Sequence, residues 1–240
     1  MKIQIYSDLH TEHNKSYPKI KAYCDILVLA GDIGNIKKAN FKKFIEYCSQ
    51  NWKHIIFVLG NHEYYGLDIK YVDKKYSSYF NNFDNVYLLN DDFIEIDDYI
   101  FICSILCTKT TSNIQFYIID FLQIKNLTYK KYIELHKKNF SFIKNTLNNK
   151  TKNKIIMITH FPPYYFDSTK KRYPDTPEYI KNYFGNNFPI ELLKNIDTWI
   201  FGHTHNSDDL ILHNTRFISN QLGYSFDIDC DFNDKGIYNI

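Results

Sequence analysis

Short apolar runs recur along the chain, most of them closed by a polar or glycine-bearing turn, and their periodicity predicts an α/β protein. Ile3 to Ser7 alternates like a strand, whereas Ile26 to Ala30 is apolar throughout and reads as a buried strand ending at Gly31. Ala39 to Gln50 has helical spacing, with Phe41, Phe44, Ile45 and Cys48 on one face. Ile55 to Leu59 is a third strand, ending at Gly60, and Asp68 to Phe80 reads as a Tyr-rich helix. The βαβα order favours strands sandwiched by helices.

From Val86 to Ile105 the pattern tightens into three closely spaced runs, Val86 to Leu89, Phe93 to Ile96 and Ile100 to Ile105. Polar turns separate them, as in antiparallel hairpins. Lys130 to Leu147 is a long amphipathic helix; Ile155 to Ile158 and Thr198 to Phe201 are strands ending at His160 and Gly202. Leu210 to Leu212 and Arg216 to Ser219 are expected to close the chain as a hairpin. Two sheets face to face with helices outside fit this order. Segments 108–128 and 162–189 resist assignment, and loops that long inside a compact unit are commonly functional. They are expected to wall a substrate cleft within a single domain spanning residues 1–240.

Composition narrows the picture little. The 44% hydrophobic and 18% aromatic content suits a folded globular chain. A net charge of only +2 gives no general reason for nucleic-acid or membrane binding. No stretch is apolar over the length a membrane span needs, and the N-terminal residues lack a signal-peptide pattern. The five cysteines include no CxxC pair and read as reduced thiols, so a cytoplasmic location is expected. Arginine occurs only at 172 and 216, which leaves few bidentate phosphate clamps.

Chemistry concentrates in five short segments, each at or near the end of an apolar run. They are Asp8-Leu9-His10, Gly31-Asp32-Ile33-Gly34, Gly60-Asn61-His62-Glu63, Thr159-His160-Phe161 and Gly202-His203-Thr204-His205. Asp8 and His10, two apart, can turn to one ion, and an Asp/His set suits a borderline divalent metal. Asp32 offers two oxygens between glycines that let the backbone turn, so it can bridge two cations. Asn61 adds a neutral oxygen, and His160, His203 and His205 add imidazoles. Two ions about 3.5–4 Å apart would clamp an in-line phosphoryl displacement.

Together the segments resemble the calcineurin-like metallophosphoesterase superfamily, in the order DxH, GDxx, GNH[ED], a lone His after a strand, and GHxH. The resemblance runs from Asp8 to His205 and implies a four-layer αββα sandwich of two mixed β-sheets flanked by helices. It implies that Asp8, His10 and His205 hold one metal, that Asn61, His160 and His203 hold the other, and that Asp32 bridges them. His62 would contact the phosphate and protonate the leaving oxygen, which with Asp32 and Asn61 makes the catalytic set; Glu63 would fix the loop behind.

Departures narrow the branch. Purple acid phosphatases carry Tyr three residues after the bridging Asp, where Asn35 stands here. Protein phosphatases resemble Gly-Asp-x-x-Asp-Arg-Gly, and the Arg is missing from this segment. The remaining likeness is to small phosphoesterases of about this length, with Asn-His-Glu-Tyr-Tyr at 61–65 and a Gly-Tyr at 223–224. Members with related patterns include cyclic-nucleotide phosphodiesterases.

The expectation is therefore a metal-dependent phosphohydrolase acting on a small phosphate ester, mono- or diester, with a nucleotide among the candidates. A hydroxide bridging the metals would attack in line, with His62 as general acid. Two divalent ions are expected, manganese first, with iron, zinc or nickel as alternatives. The rival readings are a non-catalytic interaction scaffold on the same fold, or a nuclease, which would need a basic groove that the balanced charge does not advertise. Among the other candidates, His13, His54, His136 and His213 read as structural. Arg172 reads as a solvated residue or a lid cation, Tyr64 and Tyr65 as packing residues that could stack a base, and Cys103 and Cys107 as core.

Overall fold

A computed structural model describes residues 1–14, 16–149, 154–227 and 231–240. The first half runs β1 (Lys2–Tyr6), β2 (Ile26–Ala30), α1 (Ala39–Asn51), β3 (His54–Val58), α2 (Val72–Phe80) and β4 (Val86–Leu88). Then come β5 (Asp92–Ile96), β6 (Tyr99–Ser104), α3 (Asp120–Gln123), α4 (Tyr129–Asn149) and β7 (Lys154–Thr159). Short helices α5 (Asp167–Arg172), α6 (Glu178–Lys181) and α7 (Ile190–Leu193) lead to β8 (Thr198–Phe201), β9 (Asp209–Leu212), β10 (Thr215–Ser219) and β11 (Ile237–Asn239).

These strands form two mixed sheets, in the orders β11-β1-β2-β3-β4 and β5-β6-β7-β8-β10-β9. Strands β1 to β4 are parallel, as are β6, β7, β8 and β10; antiparallel partners occur only at sheet edges. Parallel strands buried on both faces should be apolar at every position, and β2, Ile-Leu-Val-Leu-Ala, is. Its odd positions, Ile26, Val28 and Ala30, meet Phe101, Ile156, Ile158 and Ile200 of the other sheet. Leu27 and Leu29 face outward, to Phe41, Phe44 and Ile45 of α1 and Tyr76 and Phe80 of α2. On the far side Met157, Trp199 and Phe217 pack on Ile143 and Leu147 of α4. The result is the four-layer αββα sandwich. Among the described residues no helix is long and apolar enough to cross a membrane.

The structure departs from the sequence reading in four places. Helix α2 starts at Val72 rather than Asp68, whose carboxylate accepts from the backbone N–H of Lys70 and the amide of Asn126 and so builds a turn. Strand β4 does not join a hairpin: it pairs parallel with β3, and of these three runs β5 and β6 alone pair antiparallel with each other. Segments 108–128 and 162–189 carry short helices. The β9–β10 hairpin does not close the chain, because β11 returns to pair with β1.

Candidate metal centre

Because the inner strands of both sheets are parallel, their C-terminal ends collect at one edge, where ligands of open α/β sheets gather. The loops there are tied across the strands. Asp8 N–H donates to the Gly31 carbonyl at 3.0 Å, His10 N–H to Asp32 at 3.0 Å, and Gly202 N–H to His160 at 2.9 Å. Asp8 and His10 follow β1, Asp32 follows β2, Asn61 follows β3, His160 follows β7, and His203 and His205 follow β8.

Five of these seven residues, Asp8, His10, Asp32, His203 and His205, have φ between 43° and 77°. A left-handed backbone is uncommon for a residue with a side chain, and clusters of such residues mark functional sites. Close approach does the rest. A Cβ on Gly60 would collide with the Asp32 carboxylate and backbone, and one on Gly31 would collide with the His160 ring. Both positions therefore require glycine.

The seven side chains are buried and converge. Ligand atoms of Asp8, His10 and His205 lie within 4.8 Å of one another, as do those of Asp8, Asp32 and His160. His10 Nε2 and His205 Nε2 are 3.0 Å apart; His160 Nε2 is 3.0 Å from Asn61 Oδ1 and 3.5 Å from Asp32 Oδ2. Three imidazoles have Nδ1 committed elsewhere. That of His160 lies 3.0 Å from the Ala30 carbonyl, that of His205 2.6 Å from Asp227 Oδ2, and that of His10 3.4 Å from Glu12 Oε1. Such partners fix the tautomer and leave Nε2 to a metal. Among the described residues His203 Nε2, which is buried, has no hydrogen-bond partner. A buried orphan nitrogen is costly, so the donor set fits divalent ions on structural as well as chemical grounds.

Burial pulls the His203 pKa well below its ordinary range, and neighbouring His160 pushes the same way, which keeps its lone pair free. Burial also acts to raise Asp32, but the surrounding His160 and His62 overcome it and hold the carboxylate well below its usual range. For His62, burial opposes protonation, yet Asp32 and Glu12 lift the ring to about 9. His62 Nδ1 sits 3.0 Å from Glu12 Oε1, its Nε2 lies 3.0 Å from the Tyr224 hydroxyl, and its ring stacks on Tyr65 at 4.2 Å.

Glu63 stands behind this layer. Its two oxygens accept from four backbone N–H groups, those of Asp32 (2.9 Å), Ile33 (2.8 Å), Gly34 (3.0 Å) and Gly60 (2.6 Å).

Several residues at the centre were not singled out by sequence. Glu12 touches both His10 and His62. Asp227 joins His205 to Arg172, whose guanidinium is 3.1 Å away, so Arg172 is tied to the centre rather than solvated. Asp120 accepts from Asn61 (3.0 Å), Tyr65 (2.6 Å) and Tyr183 (2.6 Å) and so orients the Asn61 amide. Gln221 accepts from the His205 N–H at 2.6 Å. None carries a local signal; each lies far along the chain from its partner or in an irregular segment. Of the remaining histidines, exposed His13 reaches Glu12 at 3.5 Å, His136 lies 2.7 Å from the Cys107 carbonyl and stacks on Phe140, and His54 stacks on Tyr87. The four described cysteines are free, Cys103 and Cys107 buried in the core; the fifth, Cys230, lies outside the described residues.

Two cavities open on the centre. A smaller one of about 390 Å³ reaches Asp32, Asn61, His203 and His205, with Tyr117, Tyr173 and Tyr183 from the two irregular segments on its walls. A larger one of about 670 Å³ adjoins it across His62.

A family model, calcineurin-like phosphoesterase, matches residues 1–207. An uncharacterized protein of Acanthamoeba polyphaga mimivirus is 31% identical over 256 residues, covering 93% of this chain and 91% of its own length. The chain belongs to the calcineurin-like phosphoesterase family. Among solved structures, the phosphopantetheinyl hydrolase of Mycobacterium tuberculosis superposes with a TM-score of 0.71 at 16% identity, over 93% of this chain and 89% of that one. A candidate 5′-nucleotidase from Staphylococcus aureus, in complex with α-ketoglutarate, gives 0.51 at 15% identity, over 92% of this chain and 49% of that one. At these identities the likeness is one of fold.

Proposed function

We propose that the protein is a dinuclear metal-dependent phosphoesterase. The observation that carries this reading is the set of imidazoles whose Nδ1 atoms are held by Asp227, Ala30 and Glu12 while their Nε2 atoms turn inward, with His203 Nε2 buried beside them and unpartnered among the described residues. Asp8, His10 and His205 would hold one divalent ion, Asn61, His160 and His203 a second, and Asp32 would touch both. Manganese is the first choice for an Asp/Asn/His set, ahead of iron, zinc and nickel. Bound ions would supply Lewis-acid stabilisation of the phosphoryl oxygens and an acidified water.

The chain's own residues do the rest. Asp32, held by the His62 N–H at 2.8 Å, keeps its second oxygen toward the centre. His62 sits at the boundary of both cavities and 3.9 Å from Asp32 Oδ2, and it would protonate the departing oxygen. Glu12 holds its Nδ1 and keeps the ring in that pose. Tyr173, Tyr183 and Phe184 line the inner cavity.

The test loads purified protein with Mn²⁺ and compares p-nitrophenyl phosphate with bis-p-nitrophenyl phosphate, with phosphopantetheine esters and nucleotides added as natural candidates. Turnover that disappears in Asp32→Asn and His203→Ala, together with loss of bound metal, is the expected result. Two bound equivalents with no turnover of any ester would favour an interaction scaffold instead.

A further inference from the structure

The proposal rests on the phosphoesterase reading and concerns the larger cavity. At about 670 Å³ it has the size of a site for a small organic molecule. It shares His62, Tyr65, Ile119, Tyr224 and Phe226 with the inner cavity, so the two are continuous past the group placed to protonate the leaving oxygen. An alcohol leaving from His62 therefore has this chamber open to it.

Among the described residues, none of those lining the chamber is Asp, Glu, Lys or Arg. Both arginines are committed to carboxylates, Arg172 to Asp227 and Arg216 to Asp209. Apart from His62, which is placed at the departing oxygen, the described lining offers no Lys or Arg to a second phosphate or a carboxylate on the alcohol.

Large apolar groups instead stand exposed at its mouth: Phe226 is 76% and Ile119 56% exposed, with Leu122 beside the latter at 85%. Exposed apolar groups gathered at one place mark a binding surface. Phe226 stacks on Tyr224 at 5.2 Å, and Tyr224 stacks on His10 at 4.4 Å, so an aromatic wall runs from the rim to the candidate ligands.

We infer that the substrate is a phosphate ester whose alcohol part is uncharged and largely apolar, seated between the Tyr224–Phe226 wall and Ile119. The single charged part is then the phosphoryl group, held at the histidine and carboxylate cluster.

The experiment measures binding of n-alkylphosphonates, methyl to octyl, to Mn²⁺-loaded protein by calorimetry, with ω-carboxyalkylphosphonates of equal length beside them. Turnover of the two p-nitrophenyl esters is followed on the same preparation. Affinity should rise by roughly fourfold per methylene over the first several carbons, as for other buried methylenes. The heat-capacity change should grow more negative with length, and the terminal carboxylate should cancel most of the gain. Phe226→Ala and Ile119→Ala should flatten the series, a slope that a purely structural role would leave in place. A length-independent affinity in protein that does hydrolyse the esters, or tighter binding of the carboxylated series, overturns the inference and leaves the phosphoesterase reading standing. Absence of turnover with both metals bound sinks that reading, and the inference falls with it.

Discussion

At the residue scale the centre is organised by which nitrogen or oxygen each side chain has left over. The ring nitrogens of His62 meet Glu12 and the Tyr224 hydroxyl rather than another of the seven candidate ligands, so it stands beside the cluster rather than in it. His62→Ala is accordingly expected to retain two metal equivalents by elemental analysis while turnover falls by about 10²–10⁴-fold, the usual contribution of a general acid. Loss of the metals in that variant would make His62 a ligand. Glu63 acts through backbone alone. In Glu63→Gln one oxygen becomes an amide that faces two N–H donors, either those of Asp32 and Gly60 or those of Ile33 and Gly34. Leaving two buried donors unmet should destabilise the fold by on the order of 3 kcal/mol, read as a lower midpoint in urea with an unchanged slope.

At the scale of elements, the irregular stretches reach the centre through side chains. Asp120, at the start of α3, and Tyr183, just after α6, meet at 2.6 Å, and Asp120 turns the Asn61 amide so that its oxygen lies beside His160. Removing the carboxylate in Asp120→Ala frees that amide to rotate. Metal titration of the variant should show one of two equivalents weakened by about 10- to 100-fold, the usual cost of deleting a ligand's supporting partner. Two unchanged affinities would mean that Asp120 only packs.

At the scale of the whole molecule, both sheets end at the same buried cluster, so ions bound there would join the two halves of the sandwich. A ligand at a hundred times its dissociation constant adds about 2.7 kcal/mol. For a chain of this size that corresponds to a rise in melting temperature of roughly 5–10 °C. Thermal melts with Mn²⁺ and with chelator should differ by that much, and Asp32→Asn should abolish the difference. Coincident melts in the wild type would place the ions elsewhere or nowhere.

The sequence by itself determined most strands and helices and the five segments that hold the seven candidate ligands, because both are written locally. Period-two and all-apolar runs mark strands whatever their partners, and the five segments sit directly at strand ends, where the backbone alone delivers them to one edge. Only the tertiary structure decided what supports them. Glu12, Asp120 and Asp227 are ordinary acidic residues in sequence, and their roles depend on partners 50, 59 and 22 positions away. The same holds for β4 and β11, three-residue strands whose partners, β3 and β1, are set by sheet edges left open rather than by their own pattern. The cavities follow the same logic: a chamber whose described lining holds no Asp, Glu, Lys or Arg is a property of surfaces brought together from opposite ends of the chain, and no local pattern encodes it.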